Sequence, residues 1–382
     1  MRYSDFEQSP SGQLVPTVYD QKAFVPNPLP PNIDLAKIAL KLASSMAALG
    51  ELKGACKLLP NPYILIRPLQ RLEAQTSSAM EGTFTTADDL VMAEAGVNKS
   101  PTAEAIEVNN YTRALAWSIE EMDRLPISVR LLKGAHKILL EQVGQGRGKD
   151  KQPGEFARDQ NMIGGASIDT ARFIPPPPDE TVEAMSSLEK YINREEKSEA
   201  IALIDMALIH YQFETIHPFA DGNGRVGRML ISLMAISENL LELPVLYMSP
   251  ELEQRKDEYI DQMYDVSSKG SWENFINFFL DIVAASCHRS ITTVHRILDL
   301  QRQYHEAARA RSRSNNMNAV VDMLFESPVI QPPDIIKRTG ITDAAARNLL
   351  RQLTDIGILI EFGQFYPTVW MASELLNVSR PK

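Results

Sequence analysis

The sequence predicts an all-α protein, mainly helical, with a small β-hairpin in its middle and a winged helix-turn-helix at its C-terminal end. Three observations carry this. From about Asp34 apolar residues recur three and four apart, as Leu35, Ile38, Ala39, Leu42 and Ala43 do, which is the spacing of one helix face. Between residues 144 and 178 that pattern collapses. Gly144, Gly146, Gly148, Gly154, Gly164 and Gly165 precede a run from Pro175 to Pro178, and Gly and Pro at this density end helices. Beyond residue 317 the order becomes helix, helix, turn, helix and two short strands.

Taken in order, residues 1–33 hold Pro26, Pro28, Pro30 and Pro31 and read as an extended arm, lying on the body or partly disordered. Residues 34–125 form an N-terminal helical region, with further helices near 62–80, 86–93 and 102–123. Residues 126–307 open with a helix at 127–142. Strands at 156–163 and 171–174 then make the hairpin, and helices follow at 180–193, 198–215, 226–238, 250–267 and 271–307. Arg302, Arg309, Arg311 and Arg313, followed by Ser314-Asn315-Asn316, mark the end of a helix and a linker over 308–317. Residues 318–382 are the winged unit, with helices at 318–326, 333–339 and 342–354 and strands at 358–362 and 365–369 joined at Gly363.

A chain of 382 residues suggests two or three domains, and 44% hydrophobic with 23% charged residues is ordinary for a globular protein. The formal net charge of -10 speaks against a protein whose main task is gripping nucleic acid, since phosphate binding wants a basic surface. Cys56 and Cys287 are too few for a disulfide framework and lack zinc spacing, so they read as buried thiols. The first residues lack the apolar run of a signal peptide, and no stretch approaches the ~20 apolar residues of a membrane span. A cytoplasmic location is therefore expected.

The chemistry concentrates in the segment 217–228. A buried helix leads to it through Ile201, Ile204, Leu208, Tyr211 and Ile216, and Pro218 stops that helix with His217 at its end. Gly222, Asn223 and Gly224 offer backbone N–H groups to an anion, and a helix starting near Arg225 points its positive end at the same place. Arg225 and Arg228, three apart, can fork onto phosphate oxygens. Asp221 is the one carboxylate there, and beside phosphates its natural partner is Mg²⁺. His217 titrates near neutral pH and can take a proton from an attacking hydroxyl. Base, metal ligand, anion nest and arginines are the parts of phosphate-transfer chemistry. An EF-hand fails, because Phe219 and Leu230 fall where carboxylates belong, and the Gly144–Lys149 stretch has the wrong spacing for a P-loop.

The segment resembles the signature of the Fic family, His-x-Phe-x-(Asp/Glu)-Gly-Asn-Gly-Arg-x-x-Arg, with every fixed position filled. His210, Phe213 and Glu214 before it, Gly164-Gly165, Ala171-Arg172-Phe173 and the proline run, and the stretch from Leu243 to Tyr247 also fit that family. The resemblance extends over roughly residues 30–370. It implies transfer of AMP from ATP to a Ser, Thr or Tyr hydroxyl of a target protein, itself included. His217 would be the general base and Asp221 the Mg²⁺ ligand. Gly222, Asn223 and Gly224 would cradle phosphates, and Arg225 and Arg228 would neutralise the β- and γ-phosphates. Phe219 would anchor the loop, and His210 reads as a buried structural histidine. The hairpin would be the flap that docks the target as an added strand, with Arg158, Asn161, Ile163 and Gly164 as flap positions. Tyr247 and Tyr259 are candidates for the adenine pocket by resemblance alone.

Ser77-Ser78-Ala79-Met80-Glu81-Gly82 resembles the family's inhibitory pattern, (Ser/Thr)-x-x-x-Glu-(Gly/Asn), on a helix at about 70–82. By itself this spacing also suits a capping box. Its place before the catalytic segment implies the class with an N-terminal inhibitory helix, here joined to a C-terminal winged helix. Glu81 would pair with Arg228 in the place meant for the γ-phosphate. Two other functions use the same residues: removal of AMP from a target, and a DNA-binding regulator with a secondary catalytic site. The wing at 361–370 has no Lys or Arg, which favours protein contact or a homodimer over DNA.

Overall fold

The computed structural model describes residues 1–57, 63–86, 89–90, 102–143, 151–198, 201–312, 314–362 and 368–377. Most of the helix expected at 86–93, the Gly144–Lys149 stretch, Arg313 and the turn at 363–367 lie outside the described residues.

The proline-containing arm is folded. Strand β1 (Gly12–Pro16) pairs antiparallel with β2 (Lys22–Pro26), with Leu14 opposite Phe24. Phe6 and Phe24 pack on Phe173, and Phe24 N–H donates to the Ile174 carbonyl at 2.9 Å. Apolar burial against the flap is what orders this short pair, since an isolated hairpin is marginal in water.

Helices then follow in series. They are α1 (Ala39–Lys57), α2 (Tyr63–Met80), α3 (Ala103–Glu121) and α4 (Val129–Leu139). The side chains of Thr102 and Ser128 cap α3 and α4 by accepting the N–H groups of Ala105 and Leu131. After the flap come α5 (Pro178–Ile192), whose Pro178 suits a first helical position, and α6 (Ala202–Ile216). Every residue of α6 is buried, so it is the central helix that the others surround. The loop after it leads into α7 (Asn223–Ser237), then α8 (Ser249–Gln254), α9 (Lys256–Lys269) and α10 (Trp272–Arg311). The helix expected at 250–267 is two helices, broken at Arg255, where ψ is 32°. Among the described residues no helix is long and apolar enough to cross a membrane.

The tail comprises α11 (Asn315–Glu326), β3 (Val329–Ile330), α12 (Pro332–Thr339), α13 (Asp343–Asp355), β4 (Ile360–Phe362), β5 (Val369–Met371) and α14 (Ser373–Asn377). Its sheet has the order β3-β5-β4, with both pairings antiparallel. Helix α10 continues through position 308 to Arg311, so the linker expected at 308–317 is shorter than the sequence suggested.

The strands expected at 156–163 and 171–174 reduce to one antiparallel bridge, Ile163 to Phe173. Polar side chains explain why pairing stops there. Gln160 donates to the Pro175 carbonyl at 2.8 Å, and Asn161 donates to the carbonyls of His217 and Phe219 at 2.8 Å each. The first limb of the flap is thereby tied by Asn161 to the loop at 217–222, and Gln160 reaches the second limb through its side chain rather than through strand pairing.

Candidate active site

Helix α6 ends at His217, which caps it in the left-handed region at φ 50° while its N–H donates to the Phe213 carbonyl. A non-glycine residue rarely adopts this conformation, and Pro218 prevents the helix from continuing. The imidazole Nδ1 lies 3.3 Å from the Glu214 carbonyl, which can only accept, so Nδ1 carries the proton and Nε2 is left basic. Burial lowers the His217 pKa, against the pull of Glu81, and so keeps the ring neutral and ready as a base.

The loop between α6 and α7 is held from several sides. Asn223 spans it, donating from Nδ2 to the Phe219 carbonyl at 2.6 Å and accepting the Phe219 N–H at 2.8 Å. Phe219 is fully buried and stacks on His136 with ring centroids 3.9 Å apart. His136 Nδ1 accepts the Gly154 N–H, which leaves Nε2–H to donate to the Asp221 carbonyl at 2.9 Å. Burial holds the His136 pKa down at about 4, so this ring stays neutral and acts as a strut. Nothing in the spacing around His136 marks it, and the sequence reading missed it.

Gly222 takes φ +81° and opens α7. Its N–H turns back to Asp221 Oδ1 at 2.6 Å. A Cβ at Gly224 would stand 2.2 Å from Glu81 Oε1, so only glycine lets that carboxylate reach the helix N-terminus.

The two arginines part company. Arg228 lines a cavity of about 330 Å³ with Glu81, Glu214, His217, Gly224 and Tyr259. Its Nη2 donates to Glu81 Oε1 at 2.7 Å and to the Ser77 carbonyl at 2.8 Å, and its Nε donates to Ser77 Oγ at 2.8 Å. Burial works against the charged forms of both partners of this pair. The pair prevails: the Glu81 carboxyl is lowered and the Arg228 guanidinium raised. Arg225, expected beside Arg228 on the phosphates, is instead wholly buried and ion-paired with Glu107 and, at 3.3 Å, with Asp221. Successive positions on a helix of 3.6 residues per turn point 60° apart at a spacing of three, roughly, and here that turn is enough to send one arginine inward.

The end of α2 is fastened by Lys256, which donates to the Met80 carbonyl at 2.6 Å, and Gly82 at φ +83° turns the chain away after Glu81. Glu73, about two turns earlier, is buried and accepts from Ser249 and from Tyr111. On the flap side Ile163 and Gly164 line the cavity, whereas Arg158 is exposed and Asn161 braces the loop from behind. Tyr259 is a cavity residue whose hydroxyl meets His210 Nε2 at 2.8 Å, and His210 is buried as expected. Tyr247 belongs to the main core and does not line the cavity.

Asp221 is the carboxylate within the 217–228 segment that the sequence assigns to a metal. Among the described residues no three His, Cys, Asp or Glu side chains cluster as a metal site. One carboxylate, partly exposed beside a helix N-terminus, nonetheless suits Mg²⁺, which takes few protein ligands and fills its shell with phosphate and water.

Residues 39–120 match the Fic/DOC family N-terminal profile and residues 126–235 the Fic/DOC family profile, together about half of the chain. Protein adenylyltransferase Fic of Drosophila melanogaster is 32% identical over 113 residues, 30% of this chain and 20% of that protein. The protein of the same name in Culex quinquefasciatus is 30% identical over 155 residues, 41% of this chain and 27% of that protein. The chain thus spans about a fifth to a quarter of the length of these curated relatives. A Fic family protein from Desulfovibrio desulfuricans G20 aligns over 90% of this chain and 98% of its own, with a TM-score of 0.56 at 20% identity, a likeness of fold. Two adjoining family profiles, the complete motif at 217–228 and the helical fold that presents it lead to one conclusion: the chain belongs to the Fic/DOC family.

Proposed function

We propose that the protein is a protein adenylyltransferase restrained by its own Glu81. The observation that carries this is the Glu81–Arg228 ion pair at 2.7 Å in the cavity that also holds His217. In the reaction a target hydroxyl attacks the α-phosphorus of ATP while His217 Nε2 takes its proton. The bond to the bridging oxygen of the β-phosphate breaks, pyrophosphate leaves, and AMP remains on the target as a phosphodiester. The N–H groups at the start of α7 receive phosphate oxygens, and Arg228 receives the terminal phosphate. Asp221 would hold Mg²⁺, which would supply neutralising charge to the phosphates. Arg225 acts from behind, fixing Asp221 and the start of α7 through its ion pairs.

With Glu81 on Arg228 the terminal phosphate must displace a carboxylate to reach that guanidinium. A charge-assisted bond of this kind contributes ~1.5–3 kcal/mol. Glu81 is 36% exposed, which places it towards the lower end. Glu81→Gly should therefore raise self-labelling from α-labelled ATP by about 10-fold, and by no more than about 100-fold. His217→Ala should abolish it. Equal labelling by the Glu81→Gly and unaltered chains would sink the restraint. The Glu81 carboxylate beside His217 also suits a water-directed reading, in which the same site removes AMP. Release of AMP from a pre-modified target by the unaltered chain would favour that direction.

A further inference from the structure

Glu214 lies on α6, three residues before His217, and is 8% exposed. Its Oε1 is buried with no hydrogen-bond partner, and its side chain lines the cavity. The other carboxylates around it are matched: Glu81 by Arg228, Glu107 by Arg225, Glu73 by Ser249 and Tyr111. A place has been made for the unmatched one. Gly227 of α7 packs against it, and a Cβ there would stand 2.0 Å from Glu214 Oε1. An acid buried without a donor is costly, and this one stands at a cavity wall where a ligand could supply the partner.

Charged and titratable groups face it from each side. Arg228 from α7, Glu81 from the turn after α2 and Tyr259 from α9 act on it directly, and Lys256 and Tyr264 of α9, Arg172 of the flap and His217 at the end of its own helix line the same cavity. Arg228 has committed Nε and Nη2 to Ser77 and Glu81, so Glu214 shares its field without a bond to it.

We propose that Glu214 is a contact residue of the nucleotide cavity that meets the polyphosphate as a neutral acid, donating its O–H to a phosphate oxygen. This rests on the nucleotide reading of the cavity. An ionised carboxylate at that wall repels a polyanion, whereas the protonated acid binds one. Burial pushes the Glu214 carboxyl up to about 7, with Arg228 pulling it down and Glu81 pushing it further up. The acid is therefore partly ionised at neutral pH, and above it the ligand must draw a proton in as it binds.

The test is calorimetric titration of the unaltered chain and of Glu214→Gln with the α,β-methylene analogue of ATP, from pH 6 to pH 9, in two buffers of different ionisation enthalpy. Glutamine keeps the shape and a donor but cannot titrate. At pH 8 the unaltered chain should take up about one proton more than the variant. Its apparent affinity should fall by up to about 100-fold from pH 6 to pH 9, in proportion to the protonated fraction, and the variant should lose most of that slope. Equal proton uptake and parallel pH slopes would overturn the assignment. So would a variant that binds weakly at every pH with the slope intact. If neither chain binds the analogue at any pH, while circular dichroism shows both folded, the nucleotide reading falls and this inference with it.

Discussion

Arg225 and Arg228 occupy fixed positions of one motif, and the sequence reads them alike. The structure separates them by their partners. Glu107 on α3 claims Arg225 in the core, while Arg228 faces the cavity. Removing Arg225 therefore acts first on stability. Arg225→Ala takes the guanidinium from the buried Glu107, a loss of about 3–5 kcal/mol. It should lower the melting temperature by several degrees, and adding Glu107→Leu should restore much of it. A melt of Arg225→Ala superimposed on that of the unaltered chain would refute this. The contrast also shows which site residues the sequence can reveal. His217 to Arg228 are legible because the loop folds upon itself, so neighbours in sequence are neighbours in space. Glu81 lies 147 positions from Arg228 and was legible only through a pattern of its own. Glu107 and His136 carry no local signature, because their partners come from distant parts of the chain.

The flap and the arm make the same point for elements. The helices were legible from their apolar spacing, and the boundary at Pro218 fell where proline requires, while α5 begins at Pro178, two residues before the sequence placed it. The β1–β2 hairpin was not. Along β2, Ala23, Phe24 and Pro26 are buried, which is no alternation of two, and the strand ends in proline. What orders it is tertiary: Phe6, Phe24 and Phe173 meet with ring centroids 5.4–5.9 Å apart. The arm consequently buttresses the 156–174 segment through Phe173. Phe24→Ala should remove about 3–5 kcal/mol of local packing and free the flap. Limited proteolysis should then cut within 160–174 well before the helices are touched. Unchanged cleavage there would mean that the flap is held by its bridge and by Asn161 alone.

Across the whole molecule one helix belongs to two cores. Phe275 to Val283 of α10 pack in the main core, and Val294, Ile297, Leu300, Tyr304 and Ala308 pack with Val320, Leu324, Leu350 and Leu353 of the tail. A boundary at 308–317 cuts through the second of these. A fragment of residues 318–382 should therefore fail to fold, and one of residues 290–382 should fold, as read by circular dichroism and thermal melting. Cooperative melting of the shorter fragment would contradict that. Helix α10 is one uninterrupted span of 40 residues, about 60 Å long. The direction in which the tail points is thus a matter of angle. Each residue inserted between the two cores would swing the tail about the helix axis by about 100° while advancing it only about 1.5 Å. One added residue would carry Glu326 away from Arg67 of α2, which donates to its carbonyl at 3.1 Å. Seven would bring the tail back to nearly the same bearing, about 10 Å further along. The spacing between the cores is constrained by rotation more tightly than by reach.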